Sequence, residues 1–332
     1  MAVAYSDQLT TLYQDDCRSW LASQADNAID AVVTDPPYGM VEYSDKEVAK
    51  LRAGRGGVWR IPPSIGGSKR APLPRFTVLN ESELEYLFRF FEDWAELTSR
   101  VLKPGGHLFL ATSPLFNHVV SQALCSTGLE KRGEVVRLVR TLRGGDRPKG
   151  AEVEFEGVSA MPRSSWEPWL VFRKRLEGTV AENLRRWGTG ALRRPSPEVP
   201  FPDVIASGRT PREEKQIAPH PSLKPQGFLR QIVHASLPVG EGAVLDPFAG
   251  SGSTLAACRA IGYRSIGVES DARYVELAQT AIPELSALRP ASHSAVLVRM
   301  LDQDTPLPAP TYPSRNGGLK RSASGEKSRA AR

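Results

Sequence analysis

Two short loops of the sequence carry residue types that could do chemistry. The first is Thr34–Gly39, with the sequence TDPPYG, directly after an apolar run. Two prolines free the local carbonyls from strand pairing, so the Asp35 carboxylate and the Pro36 carbonyl can both accept hydrogen bonds from one amino group. Tyr38 offers a stacking face for a base. Such acceptors favour the positive charge that develops on an amine nitrogen as it attacks an electrophile. The plainer alternative is a proline-fixed turn after a strand.

The second loop is Phe248–Gly252, with the sequence FAGSG, which follows a short apolar run. Its glycines allow a sharp turn from strand to helix and let the backbone approach a ligand closely. Glu269 ends the next predicted strand, where a carboxylate can accept both ribose hydroxyls of an adenosine. A dinucleotide fingerprint would need a third glycine where this chain has Leu255, which disfavours a dehydrogenase.

Around these loops, periodicity and turn residues predict alternating strands and helices. The predicted strands cover residues 27–33, 107–112, 134–140, 168–173, 243–245 and 265–268. The predicted helices cover residues 81–101, 179–187, 225–237, the stretch from the glycine loop to Ile261, and 271–281. The succession of strand, glycine loop, helix, strand and acidic residue is half of a doubly wound α/β sheet.

The motifs together resemble the amino-group DNA methyltransferases that use S-adenosylmethionine, in which DPPY is the catalytic motif and FxGxG the cofactor motif. DPPY precedes the glycine loop by about 210 residues, an order similar to the permuted β group of that family. Three further segments resemble family segments: QDDC at 14–17, with Asp15 in place of a glycine, EPWLVFR at 167–173 and HPSLKP at 220–225. The resemblance implies a Rossmann-like, mostly parallel class I methyltransferase fold with a circularly permuted motif order and an inserted target-recognition region.

The resemblance also implies the reaction. A methyl group would pass from S-adenosylmethionine to the exocyclic amine of a base flipped out of the duplex. DPPY favours adenine N6 as the target, with cytosine N4 as the alternative and an RNA or protein amide after it. The intact motifs disfavour a catalytically silent DNA-binding protein. The implied catalytic residues are Asp35, Pro36, Pro37 and Tyr38. The implied cofactor-binding residues are Asp16, Ser222, Lys224, Asp246, Phe248, Gly250, Ser251, Gly252 and Glu269.

The resemblance divides the chain into four regions. Residues 1–175 form the catalytic half of the methyltransferase domain, with a predicted mobile loop at 41–80. Residues 176–217 form the predicted target-recognition region, and residues 218–285 form the cofactor-binding half. Residues 286–332 read as a weakly ordered basic tail, because they are rich in Pro, Ser, Gly and basic residues.

Charge is sorted into blocks along the chain, whose 332 residues carry a net charge of +6. Residues 1–45 carry eight acidic residues and one arginine, whereas residues 46–75 carry eight basic residues and one acidic residue. Basic blocks can neutralise the phosphates of a nucleic acid. Duplex DNA is therefore the predicted partner, and a homodimer and a cognate restriction endonuclease are further candidate partners. The predicted DNA-binding residues are Arg52, Arg55, Arg60, Arg185, Arg186, Arg193, Arg194 and Arg209.

Other classes are disfavoured by composition. The three cysteines form no CxxC pair, so neither a disulfide framework nor a redox dithiol is indicated. The five histidines are too scattered to predict a metal site. No run approaches the roughly 20 apolar residues that span a bilayer, and the first residues lack the pattern of a secretory signal. We therefore expect a cytoplasmic protein without a membrane segment.

Overall fold

A computed structural model of the chain describes residues 2–37, 64–65, 68–69, 81–139, 147–148, 150–160, 162, 164–220 and 222–290. Four predicted site residues lie outside this part of the chain, as do most of the predicted loop 41–80 and the tail from residue 291 onward. These four residues are Tyr38, Arg52, Arg55 and Arg60.

In the described part of the chain, nine strands form one mixed sheet. Their bounds are β1 (Ala2–Ser6), β2 (Thr10–Gln14), β3 (Ile29–Thr34), β6 (Leu102–Ala111), β7 (Glu130–Leu138), β8 (Trp166–Arg173), β9 (Val204–Ala206), β10 (Ala243–Asp246) and β11 (Arg264–Glu269), with β4 (Ser64–Ile65) and β5 (Ser68–Lys69) paired separately. The strand order in the sheet is β1-β2-β11-β10-β3-β6-β8-β7-β9. The five strands from β2 to β6 in this order are parallel to one another, β7 and β9 are parallel, and the other neighbours are antiparallel. The predicted mostly parallel α/β sheet is confirmed.

Helices cover both faces of this sheet. They are α1 (Cys17–Ser23), α2 (Glu81–Val101), α3 (Asn117–Ser126), α4 (Val180–Trp187), α5 (Arg212–Ile217), α6 (Gln226–Ser236), α7 (Ser253–Ala260) and α8 (Ala272–Ala287). Leu108 of β6 packs in the same cluster as residues of the first three helices, whereas its neighbour Phe109 packs with α6 and α7 on the other face. This alternation follows from the two-residue period of a strand, and it makes both faces of β6 apolar. None of these described helices is both long and apolar enough to cross a bilayer.

The strand order reverses between β3 and β10, which are neighbours in the centre of the sheet. From β10 the chain continues through α7 to β11 on one side, whereas from β3 it continues through α2 to β6 on the other side. A crevice opens outside the carboxyl ends of parallel strands at such a switch point, and ligands of open α/β sheets bind there. The two chemical loops of the sequence follow these two strands.

Three predicted elements differ in extent by four residues or more. Strand β6 begins at Leu102, five residues before the predicted start. Strand β7 begins at Glu130, four residues before the predicted start, because its first residues pair with the end of β8. Helix α8 continues to Ala287 through Pro283, although proline removes a backbone hydrogen bond from a helix. Its buried residues Ile282 and Leu285 explain the extension, since their burial against the rest of the chain favours continuing the helix.

The chain between β8 and β9 follows the amino edge of the parallel strands, opposite the crevice. Asn183 of α4 donates a hydrogen bond to the carbonyl of Pro104, near the start of β6, at 2.9 Å. Arg193 donates to the hydroxyl of Tyr263, just before β11, at 2.6 Å. Strand β9 then runs parallel to β7 and ends at the carboxyl edge. The structure thus divides the predicted target-recognition region between the two edges of the sheet.

Candidate active site

The described part of the TDPPYG loop, residues 34–37, lies beside the glycine loop at one cleft at the switch point. Thr34 and Asp246, the last residues of β3 and β10, are joined by a hydrogen bond from the Thr34 hydroxyl to Asp246 Oδ1, at 2.7 Å. The cleft encloses about 340 Å³, counting the part open to solvent. The predicted juxtaposition of the two loops is therefore confirmed. The residues that line the cleft are Asp35, Trp169, His220, Ser222, Lys224, Asp246, Phe248, Ala249, Gly250, Ser251, Ser253 and Thr254.

Asp35 lines this cleft with a carboxylate that is only 17% exposed. Its Oδ2 accepts a hydrogen bond from Lys224 Nζ at 2.6 Å, whereas its Oδ1 is buried and has no hydrogen-bond partner in the described part of the chain. Burial raises the pKa of the Asp35 carboxyl, and the Lys224 ammonium opposes that rise. One oxygen of the carboxylate is thus buried without a described hydrogen-bond donor. Pro36, which follows, is buried, and Pro37 is exposed.

Asp246 lies beside Asp35 at the end of β10 and is also buried. Its Oδ1 accepts from the backbone N–H of Phe248 at 3.1 Å, in addition to the Thr34 hydroxyl. Burial raises the pKa of Asp246 to about 6, with a smaller contribution from the charge of Asp35, although these hydrogen bonds oppose the rise. A second carboxyl group of the cleft therefore titrates close to neutral pH.

The glycine loop turns the chain from β10 into α7. Gly250 and Gly252 both have left-handed backbone, with φ of +52° and +78°. A Cβ at Gly252 would lie 2.5 Å from Ile282 of α8, so the turn also needs glycine for close packing. Glu269 Oε2 accepts from the Gly250 N–H at 2.8 Å, and its Oε1 accepts from the Asp271 N–H at 2.8 Å. The acid at the end of β11 thus supports the loop and borders the cleft through Gly250.

The HPSLKP segment closes the other side of the cleft. His220 Nδ1 accepts from the Ser222 N–H at 3.2 Å, and the His220 ring packs edge-on against Tyr274 of α8. Burial, with the nearby charge of Lys224, lowers the pKa of His220 to about 4, so the imidazole is neutral at pH 7. A Cβ at Gly250 would lie 3.3 Å from His220 Nε2. The imidazole therefore bounds the space above the glycine loop.

Asp16 lies at the same edge of the sheet, one strand farther out. Its side chain caps α1 by accepting from the N–H groups of Arg18 and Ser19, each at 3.0 Å. The preceding residue, Asp15, donates its N–H to the Glu269 carbonyl at 3.0 Å. Asp16 is not among the residues that line the cleft, but it follows the strand next to the one that ends in Glu269.

The structure does not bring four of the predicted DNA-binding arginines to the cleft. Arg185 and Arg186 belong to α4, and Arg193 and Arg194 follow it along the amino edge. Arg186 forms an ion pair with Glu177 at 2.7 Å. Arg209, by contrast, is exposed just after β9, at the carboxyl edge.

Three lining or neighbouring residues were missed as site residues. Glu167 and Trp169 lie in β8, at its start, and the Trp169 indole donates to Glu167 Oε1 at 3.1 Å. Arg137 lies near the end of β7 and pairs with Glu167 at 2.9 Å. The EPWLVFR segment was recognised as a strand, but which charged residues meet at its start depends on the pairing of β7 with β8.

The buried Asp246 makes folding stability depend on pH. Its folded-state pKa of about 6 exceeds the ordinary value of 3.8, so ionisation costs the folded state free energy as pH rises from about 4 to about 6. We expect Asp246→Asn to remove this cost. Relative to the wild type, the variant should be more stable at pH 7.5 than at pH 4.5 by about 2 kcal/mol in urea unfolding.

Asp271→Asn is the matched control for that measurement. The side chain of Arg273 and its backbone N–H lower the pKa of Asp271 to about 2, so this carboxylate favours folding above its ordinary pKa. Its replacement should leave relative stability nearly constant from pH 4.5 to pH 7.5, because the pH dependence linked to this carboxylate lies below about pH 4. A difference between the Asp246→Asn variant and the wild type that stays constant with pH would contradict the buried ionisation.

Comparison with known proteins agrees with this geometry. The family model described as DNA methylase matches residues 29–280. The chain is 26% identical over 271 residues to the type II methyltransferase M.HindIII of Haemophilus influenzae, covering 74% of this chain and 86% of that protein. It is 23% identical over 275 residues to the type II methyltransferase M2.DpnII of Streptococcus pneumoniae, covering 83% and 90%.

Solved structures share the fold. The cytosine-N4-specific PvuII DNA methyltransferase has a TM-score of 0.54 and 14% identity, covering 89% of this chain and 93% of that chain. TTHA0409 of Thermus thermophilus, solved with S-adenosyl-L-methionine, has a TM-score of 0.51 and 19% identity, covering 83% and 94%. Because the family model spans about three quarters of the sequence, including both loops of the cleft, the chain belongs to the DNA methylase family of N6 and N4 methyltransferases and is a DNA methyltransferase.

Proposed function

We propose that this enzyme transfers a methyl group from S-adenosylmethionine to the N6 amino group of an adenine flipped out of duplex DNA. The observation that carries the proposal is the state of Asp35. This carboxylate lines the same cleft as the glycine loop, with one oxygen bound to Lys224 and a buried Oδ1 that has no described partner. A buried acceptor of this kind costs free energy unless a donor satisfies it, and an exocyclic amino group is such a donor.

The residues of the cleft fit the proposed cofactor. Because Gly250 has no side chain, the space below His220 stays open; a Cβ at this position would lie 3.3 Å from the imidazole. Glu269, held beside Gly250, is proposed to bind the ribose hydroxyls through its remaining acceptor sites. The polar groups proposed to hold the methionine end are Ser222, Asp246 and Ser251. Phe248 and Gly252 are proposed to shape the cleft, and Asp16 is proposed to lie toward the adenine.

When bound, S-adenosylmethionine supplies a methyl group on a positively charged sulfur, which departs as a neutral thioether. Asp35 Oδ1 and the Pro36 carbonyl are proposed to accept the two hydrogens of the target amine and to orient its lone pair along the line of attack. As the nitrogen–carbon bond forms, positive charge grows on that nitrogen, and the negative oxygens stabilise it. The extra proton then leaves the nitrogen for solvent. Tyr38 is proposed to stack on the flipped base.

Flipping the base out of the duplex costs a few kcal/mol of stacking and pairing, which contacts in the cleft must offset. Adenine is favoured over cytosine by the aspartate in DPPY, through the resemblance to the family. Cytosine N4 is the second candidate, since it presents the same kind of amine to the same acceptors. Duplex DNA is the proposed partner, and the cytoplasm is the proposed location. The homodimer and the cognate endonuclease stay predictions.

The direct test is incubation of the purified chain with duplex DNA and S-adenosylmethionine carrying a labelled methyl group. We expect label in DNA and, after digestion to nucleosides, N6-methyladenine in chromatography. N4-methylcytosine would overturn the choice of base and leave the reaction class intact. Label found only on RNA or protein would overturn the substrate. Reactions without enzyme give the background.

A further inference from the structure

Four charged side chains form a row that ends at the proposed catalytic carboxylate. Arg137 pairs with Glu167 at 2.9 Å, Glu167 lies 3.3 Å from Lys224 Nζ, and Lys224 lies 2.6 Å from Asp35. The exposed fraction of the side chain is 6% for Arg137 and 18% for Glu167. It is 9% for Lys224 and 17% for Asp35. The charges therefore alternate in sign along the row, in a region largely shielded from water.

The end of the row away from Asp35 is anchored through Arg137. The Arg137 guanidinium stacks on the Phe228 ring at 5.4 Å and donates to the Ser207 hydroxyl at 3.0 Å. Burying ion pairs costs desolvation, and buried pairs are often no more stabilising than apolar residues of the same size. A row of four such groups directed at the cleft is thus poorly explained by fold stability alone, which points to a role in the reaction.

Lys224 determines which oxygen of Asp35 is available. An aspartate carboxylate with no partner can rotate about its last side-chain bond. The Lys224 ammonium binds Oδ2 and restricts that rotation, so Oδ1 is the oxygen left for a ligand. Glu167 in turn accepts from Lys224 and from Trp169, and so restricts the position of the ammonium.

Resting on the proposed function, we propose that Lys224 is a positioning residue for methyl transfer. It keeps Asp35 ionised and oriented so that Oδ1 accepts the hydrogen bond of the target amine, while Glu167 and Arg137 hold Lys224 in place. This role differs from contact with the methionine end, which the HPSLKP motif predicts for the same lysine.

The electrostatics give the proposal a directional test. Burial raises the pKa of Asp35, Lys224 and Arg137 lower it, and Glu167 raises it. Burial opposes ionisation of Glu167 too, but the charges of Lys224 and Arg137 outweigh it and lower the Glu167 pKa, so Glu167 is anionic. Because ionised Asp35 is needed, activity should rise with pH through its pKa. This rise forms the acidic limb of the pH–activity profile. Removing Lys224 or Arg137 must move the limb to higher pH, and removing Glu167 must move it to lower pH.

Two other groups face Asp35 and could titrate in the same range. Asp246 interacts with the charge of Asp35, but its own hydrogen bonds come from Thr34 and Phe248 rather than from the row. His220 also lines the cleft and is influenced by Lys224. Loss of Lys224 raises the pKa of His220 as well, so an upward shift of the pH profile in the Lys224 variant does not by itself identify Asp35. Glu167 raises the pKa of Asp35 and is not among the causes of the His220 shift, so a downward shift in the Glu167 variant identifies Asp35.

The experiment compares kcat and KM from pH 5 to pH 9 for the wild type, Lys224→Met, Lys224→Arg and Glu167→Gln. We expect Lys224→Met to lower kcat by roughly 10- to 100-fold at pH 7, the range typical of residues that orient a functional group, and to move the acidic limb up by at least about one pH unit. Lys224→Arg should restore most of kcat and keep the limb in place. Glu167→Gln should move it down.

Lys103→Met is the matched control. Lys103 pairs with Asp30 at the same 2.6 Å, but at the amino edge of the sheet. The Lys103→Met variant should have lower thermal stability than the wild type but the same pH dependence of kcat. If Lys224→Met fails to fold, the positions of the acidic limb in Lys224→Arg and Glu167→Gln test the proposed role of Lys224.

Two results would overturn the inference alone, with wild-type activity intact. One is an unshifted limb in the Lys224→Met and Glu167→Gln variants. The other is a Lys224→Met variant that raises only the KM for S-adenosylmethionine, which would assign Lys224 to the cofactor. Wild-type enzyme that leaves DNA unlabelled contradicts the proposed function itself, and the inference with it.

Discussion

Asp35→Ala is expected to slow methyl transfer to DNA by about 10²–10³-fold, the cost typical of removing one hydrogen-bonding group that stabilises a transition state. The variant loses Oδ1, the buried oxygen proposed to accept the target amine, and keeps only the Pro36 carbonyl. Single-turnover measurement with labelled cofactor and saturating duplex DNA reads this step directly.

The same variant should bind S-adenosylmethionine with an affinity within about twofold of the wild type, because none of the proposed cofactor contacts is made by Asp35. The fold should tolerate the change, since Lys224 keeps Glu167 at 3.3 Å and is not left as an isolated buried charge. Calorimetric titration with the cofactor and thermal unfolding test both points. Near-normal turnover would remove Asp35 from the reaction.

Asp30→Ala provides a control within the same strand. Asp30 is buried and pairs with Lys103 at 2.6 Å, as Asp35 pairs with Lys224, but it lies at the amino end of β3. Its replacement should destabilise the protein and leave the rate of transfer by the folded fraction unchanged. Equal losses of transfer in the two variants would mean that any buried aspartate of this strand is required.

Asp35→Asn separates charge from shape. An amide presents one acceptor oxygen and one NH₂ donor group, and the Lys224 ammonium attracts the oxygen. The NH₂ would then take the place of Oδ1 and meet the target amine donor to donor. We therefore expect Asp35→Asn to recover little of the activity lost in Asp35→Ala, despite its nearly identical shape.

The cleft could be predicted because its signals are local. An apolar run that ends in TDPPYG identifies the carboxyl end of a strand, and FAGSG between a strand and a helix identifies another. Parallel strands bring such ends to one edge, so the meeting of the two loops followed from the fold class. The hydrogen bond between Thr34 and Asp246 is the contact that realises it.

The charged row could not be predicted, because it depends on strand order and register. Lys224 and Asp35 are 189 positions apart, and Glu167 reaches them only because β8 is antiparallel to β6 and therefore begins at the carboxyl edge. Nothing local marks Arg137 within β7. The short motif that contains Lys224 indicates a ligand-binding segment without saying which neighbour its ammonium contacts.

Positive charge along the chain also failed to indicate which edge of the sheet it would occupy. Arginines of α4 and of the segment after it were grouped with Arg209 because all lie between the two halves of the domain. Tertiary contacts separate them: Arg193 donates to Tyr263 at the amino edge, whereas β9 delivers Arg209 to the carboxyl edge. Composition reports the presence of a basic surface but not its position.

DNA binding should therefore depend on the arginines of one edge only. A base can enter the cleft only if the duplex lies across the carboxyl edge, where Arg209 and Arg212 are exposed. We expect the double variant Arg209→Ala/Arg212→Ala to bind duplex DNA about tenfold or more weakly at 50 mM salt, because it removes charge-assisted hydrogen bonds to phosphate. Fluorescence anisotropy with a labelled duplex measures the affinity.

The double variant Arg185→Ala/Arg186→Ala is the matched comparison, since it removes the same charge from the amino edge. Wild-type affinity should fall steeply between 50 and 200 mM salt, because bound arginines displace counterions from phosphates. Each arginine–phosphate pair that a variant removes should decrease the salt slope by about one, so the slope should fall by about two in the carboxyl-edge variant and stay unchanged in the amino-edge variant. Equal decreases would show that net charge attracts the DNA, and a larger decrease at the amino edge would place the duplex where no flipped base can reach Asp35.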